Sequence, residues 1–321
     1  MKQEQGAQRL SLKQLKSWEA LGYGMFIHFG MSTFDGDELS KGDNPSTIYR
    51  PDKLDVDQWI GIARDAGMKY AVLTTKHVAG HCLWPTTLNN YHVGTSGNKT
   101  DVVAAFVRAC EKRGVMPGFY YCSWDNHNRF GSLTPTYTKW GEGYTTEQYR
   151  EFQWRQLEEL LTQYGPIGEV WIDIPNLLPR DYRNKLYAQI ARWQPGTVIM
   201  MNHGVSDGSV FNVPSAWPTD LIAIERFLPN SHTKHQPWRE IEGKKYYLAG
   251  EVCDPIGKEW FYVEKDQPRS DAELLGMYLV SRSRGANFLL DVGPDKHGLI
   301  PRRYRDALMR LRKHLVLSCI D

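Results

Sequence analysis

Two acids in apolar surroundings are the residues of this sequence best suited to chemistry. Asp173 lies near the end of the run EVWIDI (169–174), flanked by Trp171, Ile172 and Ile174. Burying a carboxylate costs free energy unless it is paired or hydrogen-bonded. Such an acid therefore either ties down loop amides or serves as a nucleophile or base. Glu251 lies near the end of YYLAGEV (246–252) and reads as a second strand-end acid, with a solvated loop acid as the alternative. Other short apolar runs end in His28, in His77, in the aromatic stretch Tyr121–Trp124, in Asn202-His203 and in Glu225-Arg226. Carboxylates supply acid/base and nucleophilic work, imidazoles and Arg226 can hold hydroxyls, and aromatic rings can cover a sugar face. His28 could equally be a satisfied core histidine. His77 and His81 have an HxxxH spacing, but Gly80 stands between them and the segment leaves a strand, so no metal site is expected.

The elements that must position these residues alternate along the chain. Strands are expected at 22–30, 70–77, 116–123, 169–174, 197–202, 220–226, 246–252 and 286–293, each short and rich in β-branched or aromatic residues. Between them, helices are expected at 55–66, 101–113, from Thr145/Thr146 to about 164, at 181–193, at 271–284 and at 301–316. The last carries Tyr304, Leu308, Leu311 and Leu315 on one stripe and a run of arginines opposite. The segment 206–219 is rich in Ser, Pro and Asn and reads as a long loop. Eight strands alternating with helices predict a (β/α)8 barrel spanning 1–321 as a single catalytic domain, whose chemistry sits at the C-terminal strand ends. A doubly wound open sheet is the runner-up. It would normally carry a glycine-rich phosphate turn, and neither GxGxxG nor GxxxxGK[ST] occurs.

Composition narrows the function classes. The chain has 321 residues, 41% hydrophobic and 24% charged, with a formal net charge of +2. That is ordinary globular usage, with no basic excess to suggest a nucleic-acid partner. No apolar run approaches the length of a membrane span. The start, Met1-Lys-Gln-Glu-Gln, lacks the apolar stretch of a signal peptide, so a cytoplasmic location is expected unless a leader was removed. Five cysteines, an odd number without a CxxC pair, predict reduced thiols rather than a disulfide framework or zinc site. No cofactor is expected.

Six segments, GMFIHFG (24–30), QWIGIARDAGMKYAVLTTKHVAGHCLWP (58–85), GFYYCSWD (118–125), LTQYGPIGEVWID (161–173), EWFY (259–262) and NFLLDVGPDKHGLI (287–300), carry a resemblance. Their order and content are similar to the α-L-fucosidases of glycoside hydrolase family twenty-nine, closest to the branch preferring α-1,3- or α-1,4-linked fucose. The resemblance implies a retaining hydrolase of fucosylated glycans on a (β/α)8 barrel. It implies Asp173 as nucleophile and Glu251 as acid/base, with Glu225, Glu240 and Glu259 as the other glutamates that could supply the acid. His28, His77 and Glu38 match residues that hold sugar hydroxyls, and Trp84, Tyr121 and Trp260 match pocket aromatics. His203 and Arg226, at strand ends, join the expected binding set. The family's second histidine and aspartate after Lys76-His77 are replaced by Val78 and Ala79, and His81 is the expected substitute contact. The usual glycine after the nucleophile is Ile174. These departures leave two alternatives: an exo-glycosidase for a related sugar such as an α-L-galactoside, or a silent sugar-binding barrel. Family members commonly append a C-terminal β-sandwich. The chain stops about 20 residues after Gly298, so none is expected, and the exposed flank suggests a possible homo-oligomer.

Overall fold

A computed structural model describes residues 6–133, 144–202 and 204–317. Ten strands are β1 (Tyr23–Ile27), β2 (Tyr70–Lys76), β3 (Met116–Cys122), β4 (Glu169–Asp173), β5 (Val198–Met201), β6 (Leu221–Glu225), β7 (Trp238–Ile241), β8 (Lys244–Tyr247), β9 (Ala249–Pro255) and β10 (Ala286–Asp291). Eight of them form one parallel sheet in the order β5-β4-β3-β2-β1-β10-β9-β6. Its two ends meet: the Asp220 amide donates to Ile199 O at 2.8 Å, and the Ile199 amide donates to the Asp220 carboxylate at 2.9 Å. The expected (β/α)8 barrel is what the chain forms.

Side chains alternate along each strand, so every barrel strand feeds two separate cores. Phe26, Tyr70, Val72, Tyr120, Trp171, Met200, Ala223, Cys253 and Leu289 fill the lumen. Their sequence neighbours Met25, Ile27, Ala71, Leu73, Phe119, Tyr121, Ile172 and Met201 belong to the outer core. There they meet the helices α3 (Val56–Asp65), α4 (Val102–Arg113), α5 (Glu147–Gln163), α6 (Arg180–Trp193), α8 (Asp271–Ser283) and α9 (Arg302–Leu317). The stripe expected on α9 is buried, with Leu308 and Leu311 fully covered. Side-chain caps start these helices where the sequence supplies them: Asp101 on the Ala104 amide for α4, Thr146 on Tyr149 for α5, and a Ser270/Glu273 capping box for α8.

Three features were not anticipated. Helix α1 (Leu12–Glu19) closes the N-terminal end of the lumen with Leu12, Leu15 and Trp18. The 206–219 loop contains one short helix, α7 (Val213–Ala216), capped by Asn212, and a short α2 (Met31–Asp35) follows β1. Above all, the run 246–252 is two strands. Its start pairs antiparallel with β7 as the hairpin strand β8, and only from Ala249 does the chain enter the barrel, continuing to Pro255. The Cys-Asp-Pro sequence reads as a loop signal, which hid the true end of β9.

Candidate active site

A cavity of about 480 Å³ opens at the C-terminal ends of the barrel strands. Asp173, the last residue of β4, lies in it with both oxygens engaged. Tyr120 Oη donates to Oδ2 at 2.6 Å and Asn202 Nδ2 donates to Oδ1 at 2.8 Å. The same Asn202 nitrogen donates to Glu225 Oε2 at 2.9 Å. An amide nitrogen has two hydrogens, and Asn202 gives one to each acid. Its orientation is fixed because Asn202 Oδ1 accepts the Gly204 amide at 3.0 Å. The two bridged carboxylate oxygens can therefore be no further apart than these two bonds laid end to end. That limit is shorter than the about 6.5–9.5 Å used for inversion and leaves room for the about 5–5.5 Å used for retention.

Each acid is followed by a residue in the left-handed region: Ile174 at φ 51° and Arg226 at φ 61°. For a β-branched residue such a conformation is strained, and strain of this kind gathers at functional sites. It also explains why glycine would suit position 174. Burial raises the Asp173 carboxyl, opposed by hydrogen bonds from Tyr120, Asn202 and the Ile174 amide. Burial, and next the charge of Asp173, push Glu225 up to about 7. Two adjacent acids thus have surroundings that separate their protonation, with Glu225 the natural proton donor.

Around this pair stand His28, His77, Glu38 and Trp260, all lining the cavity as expected. Phe26, Tyr120 and Trp171 form its aromatic floor. Burial lowers the His28 imidazole to about 3 and takes His77 well below its ordinary range, so both rings are neutral. Burial raises Glu38, and the Arg226 charge opposes it. Arg226 itself sits at the rim, its guanidinium 4.5 Å from the Trp260 ring centre and donating to Lys258 O at 2.7 Å.

The other expected site residues are elsewhere. Glu251 is fully buried and does not line the cavity. Register gives the reason: Cys253 pairs with Glu225, whereas Glu251 pairs with Ala223, one inward layer lower. Tyr70 Oη donates to Glu251 Oε1 at 2.6 Å, and Trp18 Nε1 donates to Glu169 Oε2 at 3.2 Å. Burial pushes Glu251 up to about 7, and burial with the charge of Glu251 raises Glu169. These two carboxyls form a buried acid pair in the barrel floor. Tyr121 points to the outer core, donating to Gln156 Oε1 at 2.8 Å; its neighbour Tyr120 is the cavity tyrosine. Trp84 donates to Glu159 at 2.9 Å behind the barrel wall. His81 is bound to Ser96 Oγ at 2.8 Å and Ser46 Oγ at 3.2 Å, so it supplies no contact at Val78. His203 lies outside the described residues. Glu240 is on the hairpin strand β7 and Glu259 is exposed. Among the described residues no group of three or more His, Cys, Asp or Glu could hold a metal ion, and no helix is long and apolar enough to cross a membrane. Cys82, Cys110, Cys122 and Cys253 are free and buried. Sequence reasoning missed Tyr120, placed Asn202 only as a strand end, and held Glu225 as an alternative acid behind Glu251. Counting in twos back from the observed strand end, Cys122, picks out Tyr120 and rejects Tyr121, whereas the expected end at 123 selects the wrong one.

Two expected outcomes follow from these corrections. A carboxyl raised by folding holds its proton more tightly folded than unfolded. The folded state therefore loses stability as pH climbs from the ordinary glutamate value of about 4.3 to about 7. Glu251→Gln keeps an acceptor for Tyr70 and offers a donor to Glu169, so the Tm advantage of the variant should grow between pH 5 and pH 8, with kcat/KM near wild type. Thermal melts across that range check it, and a constant Tm difference would contradict it. His81→Ala should lower Tm, since buried Ser96 and half-buried Ser46 lose a partner, at a cost of about 1–3 kcal/mol. Its kinetics should not change.

A parallel barrel whose C-terminal mouth holds two bridged carboxylates among aromatic rings and imidazoles has the makings of a retaining glycoside hydrolase. The chain belongs to the alpha-L-fucosidase family, whose model matches residues 37–317. It is similar to Alpha-L-fucosidase 1 of Arabidopsis thaliana, 30% identical over 301 residues, covering 91% of this chain and 57% of that protein. Tissue alpha-L-fucosidase of Homo sapiens is 26% identical over 270 residues, covering 82% of this chain and 53% of that protein. The chain thus spans about half the length of the curated relatives it matches. Among solved structures, a putative alpha-L-fucosidase from Bacteroides thetaiotaomicron superposes with TM-score 0.79 at 28% identity, covering 98% of this chain and 69% of that one. Alpha-L-fucosidase isoenzyme 1 from Paenibacillus thiaminolyticus shares the fold, with TM-score 0.80 at 24% identity and coverage of 96% and 76%.

Proposed function

We propose that this protein removes terminal α-L-fucose from fucosylated glycans with retention, Asp173 acting as nucleophile and Glu225, not Glu251, as acid/base. The observation that carries this reading is the Asn202 amide spanning Asp173 and Glu225 inside the cavity. Family membership supplies the sugar.

In the first step an oxygen of ionised Asp173 bonds to the anomeric carbon while the bond to the leaving oxygen breaks. Glu225 gives that oxygen its proton, so a glycosyl–Asp173 ester and ionised Glu225 result. Esterification removes the Asp173 charge, which is the second cause of the raised Glu225 pKa. Glu225 therefore becomes more acidic at the moment its role changes to base. In the second step it takes a proton from water, whose oxygen attacks the anomeric carbon and releases Asp173. His28, His77 and Glu38 face the ring hydroxyls, while Phe26, Trp171 and Trp260 offer apolar surface suited to a methyl at C5. Leu39, Trp124 and Val205 line the cavity as well, and Leu39 and Val205 are exposed. They give a second sugar an apolar wall, which favours the α-1,3/4-linked, branched class of substrate.

The test is hydrolysis of aryl α-L-fucoside, aryl α-L-galactoside and α-1,2-, α-1,3-, α-1,4- and α-1,6-linked fucosyl oligosaccharides, with the first-formed anomer read by proton NMR. Release of α-fucose first, fastest from the α-1,3/4 substrates, is expected. Preference for the galactoside would overturn the assignment of the sugar, and β-fucose first would overturn retention.

A further inference from the structure

His28 stands in the cavity with only one ring nitrogen paired. Its Nδ1 is 2.8 Å from Asp291 Oδ1, and the His28 backbone amide donates to that same oxygen at 3.2 Å. Asp291, the last residue of β10, is 1% exposed, and its other oxygen, Oδ2, is buried with no partner. The neighbouring strands place the two together, since Phe26 of β1 is in register with Asp291. The ring is caged by Phe26 at 4.6 Å, Trp260 at 5.1 Å and Phe261 at 5.3 Å between centroids, contacts that fix its plane but bond to neither nitrogen.

We propose that Asp291 is a positioning residue for substrate binding, holding His28 in the Nδ1–H tautomer so that Nε2 accepts a hydrogen bond from a ring hydroxyl of the sugar. This rests on the fucosidase reading for the identity of the ligand, but the tautomer itself does not. The chemistry is that of a shared acceptor. Asp291 Oδ1 already receives a backbone N–H, so it is the carboxyl's accepting oxygen and Nδ1 must bring the proton. Burial keeps the imidazole neutral, leaving one ring proton to place. Burial also raises Asp291. Any proton it binds sits on the unpartnered Oδ2 and leaves the Oδ1 contact unchanged. A carboxylate that orients a histidine in this way is a familiar arrangement behind metal-binding imidazoles. Here the beneficiary is a hydroxyl, which then has an acceptor at Nε2 instead of a competing donor.

The experiment has two arms. In the sugar-free protein labelled with ¹⁵N-histidine, the long-range ¹H–¹⁵N spectrum at pH 7, with His28→Gln for assignment, should show Nδ1 protonated and Nε2 bare. Asp291→Ala should shift His28 toward the Nε2–H form or a mixture. A wild-type ring already in the Nε2–H form overturns the proposal, whatever the protein hydrolyses. In the kinetic arm, Asp291→Ala should lower kcat/KM on an aryl α-L-fucoside by roughly tenfold or more. Asp291→Asn, which keeps the carbonyl acceptor, should recover most of it. One monodeoxy fucoside should suffer no further loss in Asp291→Ala, because the hydroxyl that His28 accepts from is already gone. A purely structural Asp291 would penalise every deoxy analogue equally and leave the tautomer in place, and that result refutes the proposal. Should Asp291→Ala fail to fold, Asp291→Leu, of similar shape and without an acceptor, carries the same comparisons. If no fucoside is turned over by the wild type, the functional reading fails and the spectrum still decides the tautomer.

Discussion

Asp173→Asn and Asp173→Ala should each lower kcat on an aryl α-L-fucoside by at least about 10³-fold, a loss of about 4 kcal/mol of transition-state stabilisation. The fold should survive. Asp173 ends its strand, and its partners are two donors that remain attached elsewhere: Tyr120 stays packed in the aromatic floor and Asn202 keeps Glu225. Asp173→Asn is the milder structural change, since an amide oxygen can still accept from Tyr120 or Asn202. Far-ultraviolet circular dichroism and Tm establish folding, and initial rates establish the loss. Activity above about a tenth of wild type in a folded variant would remove Asp173 from the nucleophile role, because only about 1.4 kcal/mol would then depend on it.

Glu225→Ala should separate substrates by the quality of their leaving group. A natural fucoside needs a proton on its departing oxygen, whereas a nitrophenolate leaves without one. The variant should therefore lose about 10²–10⁴-fold on oligosaccharides and much less on the activated aryl fucoside. Azide should restore turnover of the aryl substrate by attacking the anomeric carbon of the glycosyl–Asp173 ester without a general base, and two successive inversions make the product α-fucosyl azide. In the wild type, kcat/KM should fall on the alkaline side as Glu225 ionises near 7. Glu251→Gln supplies the contrast. Its carboxyl is bonded to Tyr70 one layer beneath the cavity, so the variant should keep activity on both substrate types. Loss on oligosaccharides with azide rescue in Glu251→Gln, and not in Glu225→Ala, would reverse the assignment.

The two glutamates show where reading the sequence runs out. Both lie in short apolar runs and both end up on the lumen side of a barrel strand. What separates them is the position of the strand end, and that depended on Cys253, Asp254 and Pro255 continuing β9. Proline after aspartate is a turn signal locally. In the barrel, pairing of β9 with β10 extends through Pro255, which stands opposite Asp291 at the end of the ladder. A shift of two residues keeps a side chain on the same face but moves it one layer down, from solvent-reached cavity to sealed floor. Tyr120 and Tyr121 show the complementary case, where a shift of one residue moves the ring to the other face of the strand.

The sequence by itself determined the architecture and the kind of chemistry. The alternation of apolar runs with amphipathic segments is a local pattern, and each strand and helix burial follows from it. Asp173 in its apolar run and the imidazoles at 28 and 77 were legible because residue type and strand-end position suffice to bring them to one mouth, whereas Glu38 and Trp260 were expected there only from the resemblance. The tertiary structure alone decided which second carboxyl faces Asp173, which tyrosine touches it, and that His81 is committed to Ser46 and Ser96. It also decided that Asn202 divides its two hydrogens between the acids and that Asp291 sits against Nδ1 of His28. These are contacts between strands far apart in the chain. Their partners are set by register and by distances of a few tenths of an ångström, quantities to which a one-dimensional pattern of polar and apolar residues is blind.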